Sequence, residues 1–526
     1  GGHDPHKVYA AFSSAVSSPG QPTVVLAKTV KGYGMGSAGE AQNITHQQKK
    51  MDLDAVRQFR DRFGVPISDE ELEDVPYYHP GPDSEEIKYM LERRKALGGF
   101  IPQRQRQDGP IEAPALEVFD KLLQSSGERE MSTTMAFVRM LTQLLRQKSF
   151  AERIVPIVAD EARTFGMEGM FRQLGIYSSV GQLYTPVDSD QLMFYKEDQK
   201  GQILQEGITE AGAMSSWIAA ATSYSASGVT MIPFYIFYSM FGFQRIGDLA
   251  WAAGDMRARG FLVGGTAGRT TLNGEGLQHE DGNSHMMAGM IPNCVSYDPT
   301  FAHEIAVIVQ DGMRRMFQDG EDVFYYITVE NENYPHPGMP EGAEDGIRKG
   351  LYLLKEGGDA AKKVQLMGSG AILREAIAAA NILAQDFGVQ ADVWSATSFT
   401  ELRRDGVDCA RWNRLNPEKD PRIPWVTECL RERKGPIIAA TDYVRAYADQ
   451  VRGFLQQEDY IVLGTDGFGR SDTREQLRRF FEVDRYQIAY AALYALYRRE
   501  LIGMSELLDA RSSLGIDPDK TNPVQV

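Results

Sequence analysis

The feature that most constrains this fold is a set of apolar segments that alternate with helical patterns in the middle of the chain. Strands that lack polar alternation are typical of parallel sheets, because helices cover both faces of such sheets. The predicted strands span residues 154–159, 229–238, 261–265, 295–297 and 323–328, and the predicted helices span 133–146, 207–224, 245–256 and 301–317. The sequence therefore predicts an α/β fold of parallel sheets covered by helices.

The length of 526 residues exceeds what a single hydrophobic core organises, so two or three domains are expected. A polar, turn-rich stretch at 100–110 is interpreted as a linker, and the proline-rich residues 335–340 mark a second boundary. These signals predict domains at 1–109, 110–339 and 340–526. The last domain repeats the α/β pattern, with apolar strands at 364–367, 391–394, 437–440 and 461–463.

The first domain reads as the end of an α/β unit. A buried strand is predicted at residues 24–30, and it runs into the glycine-rich residues 31–36. Such strand ends are where ligands bind in open α/β sheets. The helices predicted here span 46–63 and 84–97, with a short one capped by Ser68. Because the chain lacks an initiating methionine and opens within this unit, we expect the natural polypeptide to extend upstream.

The composition argues against several kinds of partner. A formal net charge of −16 disfavours a nucleic acid or an anionic membrane. No apolar run in the sequence is long enough to span a bilayer. The three cysteines, Cys294, Cys409 and Cys429, lack the spacing of a disulfide framework or a zinc site, so a reducing cytoplasm fits best.

Glu210 is the first candidate for chemistry, because it opens an apolar helix close to Ile208, Ala213 and Met214. A carboxylate in dry surroundings costs free energy unless it is paired, and such a group holds or passes a proton with a shifted pKa. The alternative is a first-turn glutamate that the helix dipole stabilises. Both interpretations stay open on the residues alone.

His279 is the second candidate, in a glycine-flanked turn at residues 274–282 that also contains Glu275, Glu280 and Asp281. Loops carry catalytic groups disproportionately, whereas a turn histidine satisfied by the backbone is the alternative. His285 is a weaker candidate. His46 follows a small, polar segment and is left undecided between a functional residue and an exposed helix-start residue.

Two further stretches have competing interpretations. The aromatic rings of residues 233–243, including Tyr238 and Phe241, are either core or a stacking surface for a heteroaromatic cofactor. The loop at 464–472 is rich in glycine and aspartate, but it lacks the spacing of a phosphate-binding loop. A tight turn after a strand is therefore the preferred interpretation of that loop.

Taken together, these stretches resemble the homodimeric decarboxylating component of bacterial pyruvate dehydrogenase complexes, over essentially the whole chain. The resemblance lies in residues 160–169, 194–198, 200–210, 232–241, 242–248, 268–282, 398–402 and 464–472. It implies a transketolase-like thiamine diphosphate-binding fold with a carboxy-terminal α/β domain. It also implies that the chain is the carboxy-terminal portion of such an enzyme.

The resemblance assigns roles to single residues. Glu210 would contact the pyrimidine nitrogen of thiamine diphosphate, Phe241 would stack on that ring, and Ile208 would hold the bent cofactor. Tyr238 and His279 would face the pyruvate-derived group. Further cofactor-binding residues implied by the resemblance are Asp160, Glu161, Arg245 and Lys31.

Partners are implied in the same way. Lys31 would belong to the diphosphate side of a neighbouring subunit, so a homodimer with the active site at its interface is expected. His46 resembles a mobile-loop histidine associated with acetyl transfer to the lipoyl group of the acetyltransferase component. The magnesium ion of this family is held by a Gly-Asp-Gly motif with downstream asparagines, which is absent here. No metal ligand is therefore assigned in this chain, and we expect the ligands upstream.

The resemblance implies oxidative decarboxylation of pyruvate by the full-length enzyme. One alternative is another transketolase-type enzyme, such as 2-oxoglutarate dehydrogenase. Another is that the isolated 526 residues are a catalytically silent structural or dimerisation module, because the rest of the cofactor site lies elsewhere.

Overall fold

The computed structural model describes residues 1–100, 109–159, 162–456 and 459–526. The chain forms two compact units, Gly1–Gln103 and Arg104–Val526. Most of the predicted linker at 100–110 lies outside the described residues. The bounds of the three predicted domains stay predictions.

The first unit contains three helices, α1 (Pro5–Val16), α2 (Leu53–Phe63) and α3 (Glu85–Ala96). Helix α3 begins as the sequence predicts, because the Ser84 hydroxyl accepts the Ile87 N–H. Helix α2 begins seven residues later than predicted. A single 3₁₀ turn (Asn43–His46) precedes it, and the Asp52 carboxylate caps its first turn.

The prediction of a buried strand at residues 24–30 is wrong. This segment has no strand assignment, and the side chains of Val24 and Leu26 are 81% and 91% exposed. Its recorded backbone contacts are with the start of the chain, where Gly2 donates to the Lys28 carbonyl at 2.9 Å. A strand needs neighbouring strands for its backbone bonds, and no described segment of this unit supplies a ladder.

The second unit contains helices and strands in alternation. Its strands are β1 (Glu130–Met131), β2 (Ile154–Val158), β3 (Ile176–Tyr177), β4 (Glu197–Asp198), β5 (Leu204–Gln205), β6 (Ile232–Tyr238), β7 (Phe261–Gly265), β8 (Cys294–Tyr297), β9 (Phe324–Thr328), β10 (Tyr334–Pro335), β11 (Tyr352–Lys355), β12 (Lys363–Gly368), β13 (Gln390–Ser395), β14 (Ile437–Ala440) and β15 (Tyr460–Leu463). Its helices are α4 (Asp120–Leu123), α5 (Thr133–Leu144), α6 (Phe171–Leu174), α7 (Glu210–Ala221), α8 (Ser223–Ala226), α9 (Phe243–Asp255), α10 (Ser284–Met290), α11 (Ala302–Met313), α12 (Glu344–Lys349), α13 (Ile372–Phe387), α14 (Phe399–Leu415), α15 (Trp425–Leu430), α16 (Arg445–Asp449), α17 (Arg474–Phe480), α18 (Arg485–Arg498) and α19 (Met504–Ser513).

A six-stranded parallel sheet with the order β5-β2-β6-β7-β9-β8 forms the first core of this unit. Its strands are apolar on both faces because helices cover both of them, as the sequence predicts. The packing is aromatic: Phe234 of β6 stacks on Phe261 of β7, with ring centroids 4.5 Å apart. The α/β fold class predicted from the sequence is confirmed.

The second sheet has the order β11-β13-β12-β14-β15. Four of its strands are parallel, but β11 pairs antiparallel with β13, so this sheet is mixed. The helix predicted at 207–224 also differs from α7, which ends at Ala221 where Thr222 leaves the helical backbone. The helix predicted at 301–317 ends as the π-helical turn Arg314–Gln318 after α11.

The strand order of the first sheet predicts the position of a ligand site. The chain passes from β2 to the edge strand β5, and then returns through α7 to β6 on the other side of β2. In open α/β sheets, the crevice outside the carboxyl ends of the strands at such a reversal is the usual ligand site. The described segments that follow β5 and β6 lie at this edge.

Candidate active site

Glu210 is the first residue of α7, and residues 206–209 connect it to the carboxyl end of β5. The Thr209 hydroxyl caps the helix by accepting the Gly212 N–H at 3.3 Å. The Glu210 side chain is 14% exposed. Of its predicted apolar neighbours, Met214 is buried, whereas Ile208 is 73% exposed. The carboxylate therefore lies in a partly sheltered position at the positive end of a helix.

Arg245, in the first turn of α9, joins Glu210 to the aromatic residues. Its guanidinium donates a hydrogen bond to the Glu210 carboxylate. The guanidinium carbon also lies 4.3 Å from the ring centroid of Phe241. One planar cation thus uses the carboxylate and an aromatic face at once.

His279 completes this cluster from the loop that follows β7. Its ring centroid is 4.9 Å from that of Phe241 and 5.5 Å from that of Tyr238. Tyr238 is supported from behind by Phe165, which is buried, with the centroids 5.6 Å apart. Gly265 at the end of β7 makes room for Phe165, because a Cβ atom there would collide with its ring.

The carboxylates that crowd His279 in the sequence point in different directions. Glu275 lies nearest, with its Oε2 atom 4.0 Å from Nδ1 of His279. The Asp281 carboxylate instead accepts the Asn283 and Ser284 N–H groups at 2.9 Å. The Nδ1 atom of His279 is buried and has no hydrogen-bond partner among the described residues. His279 therefore has a ring nitrogen without a hydrogen bond, and this ring lies beside those of Phe241 and Tyr238.

Glu280 faces away from the cluster, towards the 464–472 loop. It is fully buried, and its Oε2 atom accepts the Arg470 N–H at 2.7 Å. Burial raises the pKa of this carboxyl to about 8, with a smaller contribution from Asp442. The nearby Arg269 acts in the opposite direction. The 464–472 loop is thus more than a tight turn, because it holds the residue next to His279.

His285 belongs to the core. Its ring is fully buried, and Nε2 lies 2.9 Å from the Thr328 hydroxyl. Burial lowers the pKa of this imidazole to about 3, which makes it neutral at physiological pH. It also stacks on Tyr447, with the centroids 5.0 Å apart. His285 is therefore a structural residue of the core and not a candidate for catalysis.

Two candidates cannot be located. Asp160 and Glu161, which come after β2 in the sequence, lie outside the described residues. Their assignment as cofactor-binding residues stays a prediction.

The first unit brings its own two candidates together. Nζ of Lys31 lies 2.9 Å from Nδ1 of His46. The segment before His46, predicted as a mobile loop, contains short 3₁₀ turns, and Glu40 within it forms an ion pair with Arg62 at 2.6 Å. The sequence offered no signal for the contact between Lys31 and His46, which are fifteen residues apart.

The cluster fits a planar heterocycle that carries N–H donors. The Arg245 guanidinium, a planar N–H donor, already lies on the face of Phe241 and binds Glu210. The described residues contain no group of three or more His, Cys, Asp or Glu side chains placed to hold a metal ion. Within the described parts of the chain, no helix has the length and apolar character needed to cross a membrane.

The fold is that of a transketolase-like α/β protein. Transketolase from Campylobacter jejuni superposes with a TM-score of 0.61 at 18% identity, covering 94% of this chain and 66% of that one. Transketolase from Pichia stipitis gives a TM-score of 0.62 at 14% identity, covering the same 94% and 66%. Residues 350–484 match the family model of the transketolase-like C-terminal domain.

Sequence similarity narrows this class to one family. Residues 112–337 match the family model of the pyruvate dehydrogenase E1 component middle domain. The pyruvate dehydrogenase E1 component of Pseudomonas aeruginosa is 62% identical over 525 residues, and those of Cupriavidus necator and Escherichia coli are 59% and 57% identical. The match covers 99–100% of this chain and 59% of the length of each of the three relatives. Over its whole length the chain is similar to pyruvate dehydrogenase E1 components, and the predicted resemblance is confirmed.

Proposed function

We propose that this chain is the pyrimidine-binding and carboxy-terminal portion of a thiamine diphosphate-dependent pyruvate dehydrogenase component. In a polypeptide as long as its relatives, it decarboxylates pyruvate and passes the acetyl group to the lipoyl group of an acetyltransferase component. The observation that carries this proposal is the continuous contact from Glu210 through Arg245 and Phe241 to His279. This contact occurs in a sequence 62% identical to a pyruvate dehydrogenase E1 component.

Glu210 is proposed to hold the proton-bearing ring nitrogen of the pyrimidine. Its carboxylate is partly sheltered, at a helix N-terminus, and already accepts a hydrogen bond from a planar N–H donor. Phe241 offers the aromatic face on which that donor lies, so the same two residues suit an aminopyrimidine. When bound, thiamine diphosphate supplies the carbanion and electron-sink chemistry, and the protein orients it.

His279 and Tyr238 are proposed to face the substrate. Pyruvate carries a keto oxygen and a carboxylate, both of which need hydrogen-bond donors in a site that excludes water. The buried Nδ1 of His279 has no hydrogen-bond partner among the described residues, and the ring packs edge-on to Tyr238. A small polar substrate beside these rings satisfies that nitrogen.

Lys31 and His46 are proposed to act in the diphosphate and acetyl-transfer parts of the enzyme. A lysine ammonium suits a diphosphate, and its 2.9 Å contact with His46 holds the two residues in one arrangement. The proposal includes a homodimer with the active site at its interface. The ligands of the magnesium ion are proposed to lie in the part of the longer polypeptide upstream of this chain.

The test compares substrates in a polypeptide of the relatives' length that carries this sequence. Thiamine diphosphate, magnesium and an artificial electron acceptor are supplied with pyruvate, 2-oxoglutarate or a ketose phosphate. We expect reduction of the acceptor with pyruvate and little with the other two. A preference for 2-oxoglutarate or the sugar phosphate would instead support another transketolase-type enzyme.

The same assay on the isolated 526 residues tests the silent-module alternative. The chain spans 59% of the length of its relatives, so we expect weak cofactor binding and no turnover from it alone. Turnover by these 526 residues at a rate close to that of the longer polypeptide would contradict this expectation.

A further inference from the structure

We propose that Glu280 is a positioning residue for His279, because it fastens the turn at 274–282 to the 464–472 loop. This inference rests on the proposed function, in which His279 faces the substrate. It adds that the second half of the unit sets the position of that histidine through one buried carboxyl group.

The contact between turn and loop is direct. Glu280 is fully buried and accepts the Arg470 N–H at 2.7 Å. Gly469 packs against the same carboxyl: a Cβ atom there would lie 2.5 Å from the Leu277 carbonyl oxygen and 3.0 Å from the Glu280 Cβ atom. The loop and the turn therefore touch without space for one methyl group. A shift in either surface moves the other.

The ends of the turn are held by the same part of the chain. Gly274 donates to the Asp472 carbonyl at 3.3 Å, and the Gly282 carbonyl accepts the Val444 N–H at 2.9 Å. The buried guanidinium of Arg269 donates to the Gly467 carbonyl at 2.6 Å. These bonds fix both ends of the turn. Glu280 supplies the contact with the loop that lies next to His279 in the sequence, and it thereby holds the part of the turn that carries the histidine.

The charge state of Glu280 decides which substitution tests its role. The charged groups with which it interacts are Arg269 and Asp442, which act in opposite directions on its pKa. Burial dominates and favours the neutral carboxylic acid below about pH 8. Glutamine matches the neutral acid in shape and keeps an oxygen for the Arg470 N–H. Alanine removes that acceptor and leaves a cavity beside Gly469.

The experiment records histidine side-chain ¹H–¹⁵N spectra of the long polypeptide without cofactor or substrate, and assigns the His279 signals with His279→Gln. We expect Glu280→Ala to move the His279 signals and to lower kcat for pyruvate by roughly 10- to 100-fold at nearly unchanged KM, since small displacements of a catalytic group have such costs. Glu280→Gln should return both quantities close to those of the wild type.

Two further variants separate positioning from loss of folding. Gly469→Ala pushes on the turn from the loop side without altering Glu280, so it should move the same signals even if Glu280→Ala fails to fold. Glu304→Ala is the matched control, because Glu304 is also fully buried but bonds to Tyr352 and Ser395. It should lower stability and leave the His279 signals in place.

The inference is overturned if folded Glu280→Ala and Gly469→Ala both keep the wild-type His279 signals, or if Glu280→Gln behaves like Glu280→Ala. Because the spectra need neither cofactor nor substrate, they remain decisive if the wild type fails to turn over pyruvate. A wild type that fails to turn over pyruvate would count against the proposed function and not against the positioning role of Glu280.

Discussion

At the scale of residues, the site depends on how a few side chains share their polar atoms. Glu210 pairs with Arg245, while Phe241 has Arg245 on its face and the rings of His279 and Tyr238 beside it. An ion pair of a half-exposed arginine contributes little to stability, about 1 kcal/mol or less. A ligand that offers a similar planar N–H donor can therefore replace Arg245 at the Glu210 carboxylate at a small cost in free energy.

The raised pKa of Glu280 has a consequence for stability. The folded state keeps the proton up to about pH 8, whereas the unfolded chain releases it near the ordinary value of 4.5. The stabilising contribution of this proton is therefore complete below about pH 4.5, declines as the pH rises and is gone above about pH 8. The side chain of Glu280→Gln has no such proton to lose. The Tm of this variant minus that of the wild type should therefore increase as the pH rises from about 5 to about 8.5.

Thermal unfolding of both proteins across this range measures the gain. The exposed Glu128→Gln serves as control, and its Tm difference from the wild type should stay flat. A difference for Glu280→Gln that also stays flat would show that Glu280 is ionised in the folded protein.

At the scale of elements, the end of β7 determines where the aromatic cluster stands. Gly265 is in contact with the Phe165 ring, and Phe165 supports Tyr238. Gly265→Ala should force Phe165 aside and destabilise the protein by about 1–3 kcal/mol, as overpacking does. Urea unfolding measures this change, and near-ultraviolet circular dichroism should report the displaced rings.

Gly247→Ala is the matched control for that substitution. Gly247 lies inside α9, and a Cβ atom there meets nothing within 4 Å. Alanine is the better helix former, so this variant should gain up to about 1 kcal/mol. Equal effects of the two substitutions would contradict the packing of Phe165 against β7.

The elements also show what the sequence predicts and what it omits. The strands of the parallel sheet were predictable because their apolar character is local, and β7 has the predicted bounds of residues 261–265. The strand predicted at 24–30 failed because apolar residues alone do not supply neighbouring strands. Register and sheet order are set by contacts between distant segments, which periodicity does not encode.

The residues of the candidate site also divide into those with a local sequence signal and those without one. Glu210, Tyr238, Phe241 and His279 carry local signals, namely a helix start, a strand end and a glycine-rich turn. Glu280 and Arg470 are 190 residues apart in sequence, so their contact leaves no local pattern. The assignments of Asp160, Glu161 and Ile208 to the cofactor stay predictions.

At the scale of the molecule, the second sheet helps to build the site on the first. Asp442 follows β14 and is fully buried. Its carboxylate accepts the Thr270 N–H at 2.9 Å and the hydroxyls of Thr270 and Thr271 at 2.7 Å. The segment that leads from β7 to His279 is thus bonded to the other half of the unit.

Asp442→Ala should therefore affect more than its own surroundings. Buried donors left without an acceptor cost about 1–3 kcal/mol, so we expect a loss of about 3 kcal/mol in the free energy of unfolding. Denaturant unfolding measures it. Asp408→Ala is the control, because Asp408 is exposed and its 3.4 Å ion pair with Arg422 is worth at most a few tenths of a kcal/mol. A loss as small as that of Asp408→Ala would show that the two halves are held by other contacts.

The most direct test of the central claim is the rate of proton exchange at the reactive thiazolium carbon of thiamine diphosphate bound to the long polypeptide. Glu210→Gln keeps the shape of the side chain and removes its charge, and Glu206→Gln serves as the neighbouring control. We predict that Glu210→Gln slows this exchange by roughly two orders of magnitude, the size of effect expected when a proton-transfer group is lost, while Glu206→Gln exchanges like the wild type. An unchanged exchange rate in Glu210→Gln, with cofactor bound, would contradict the role assigned to this carboxylate.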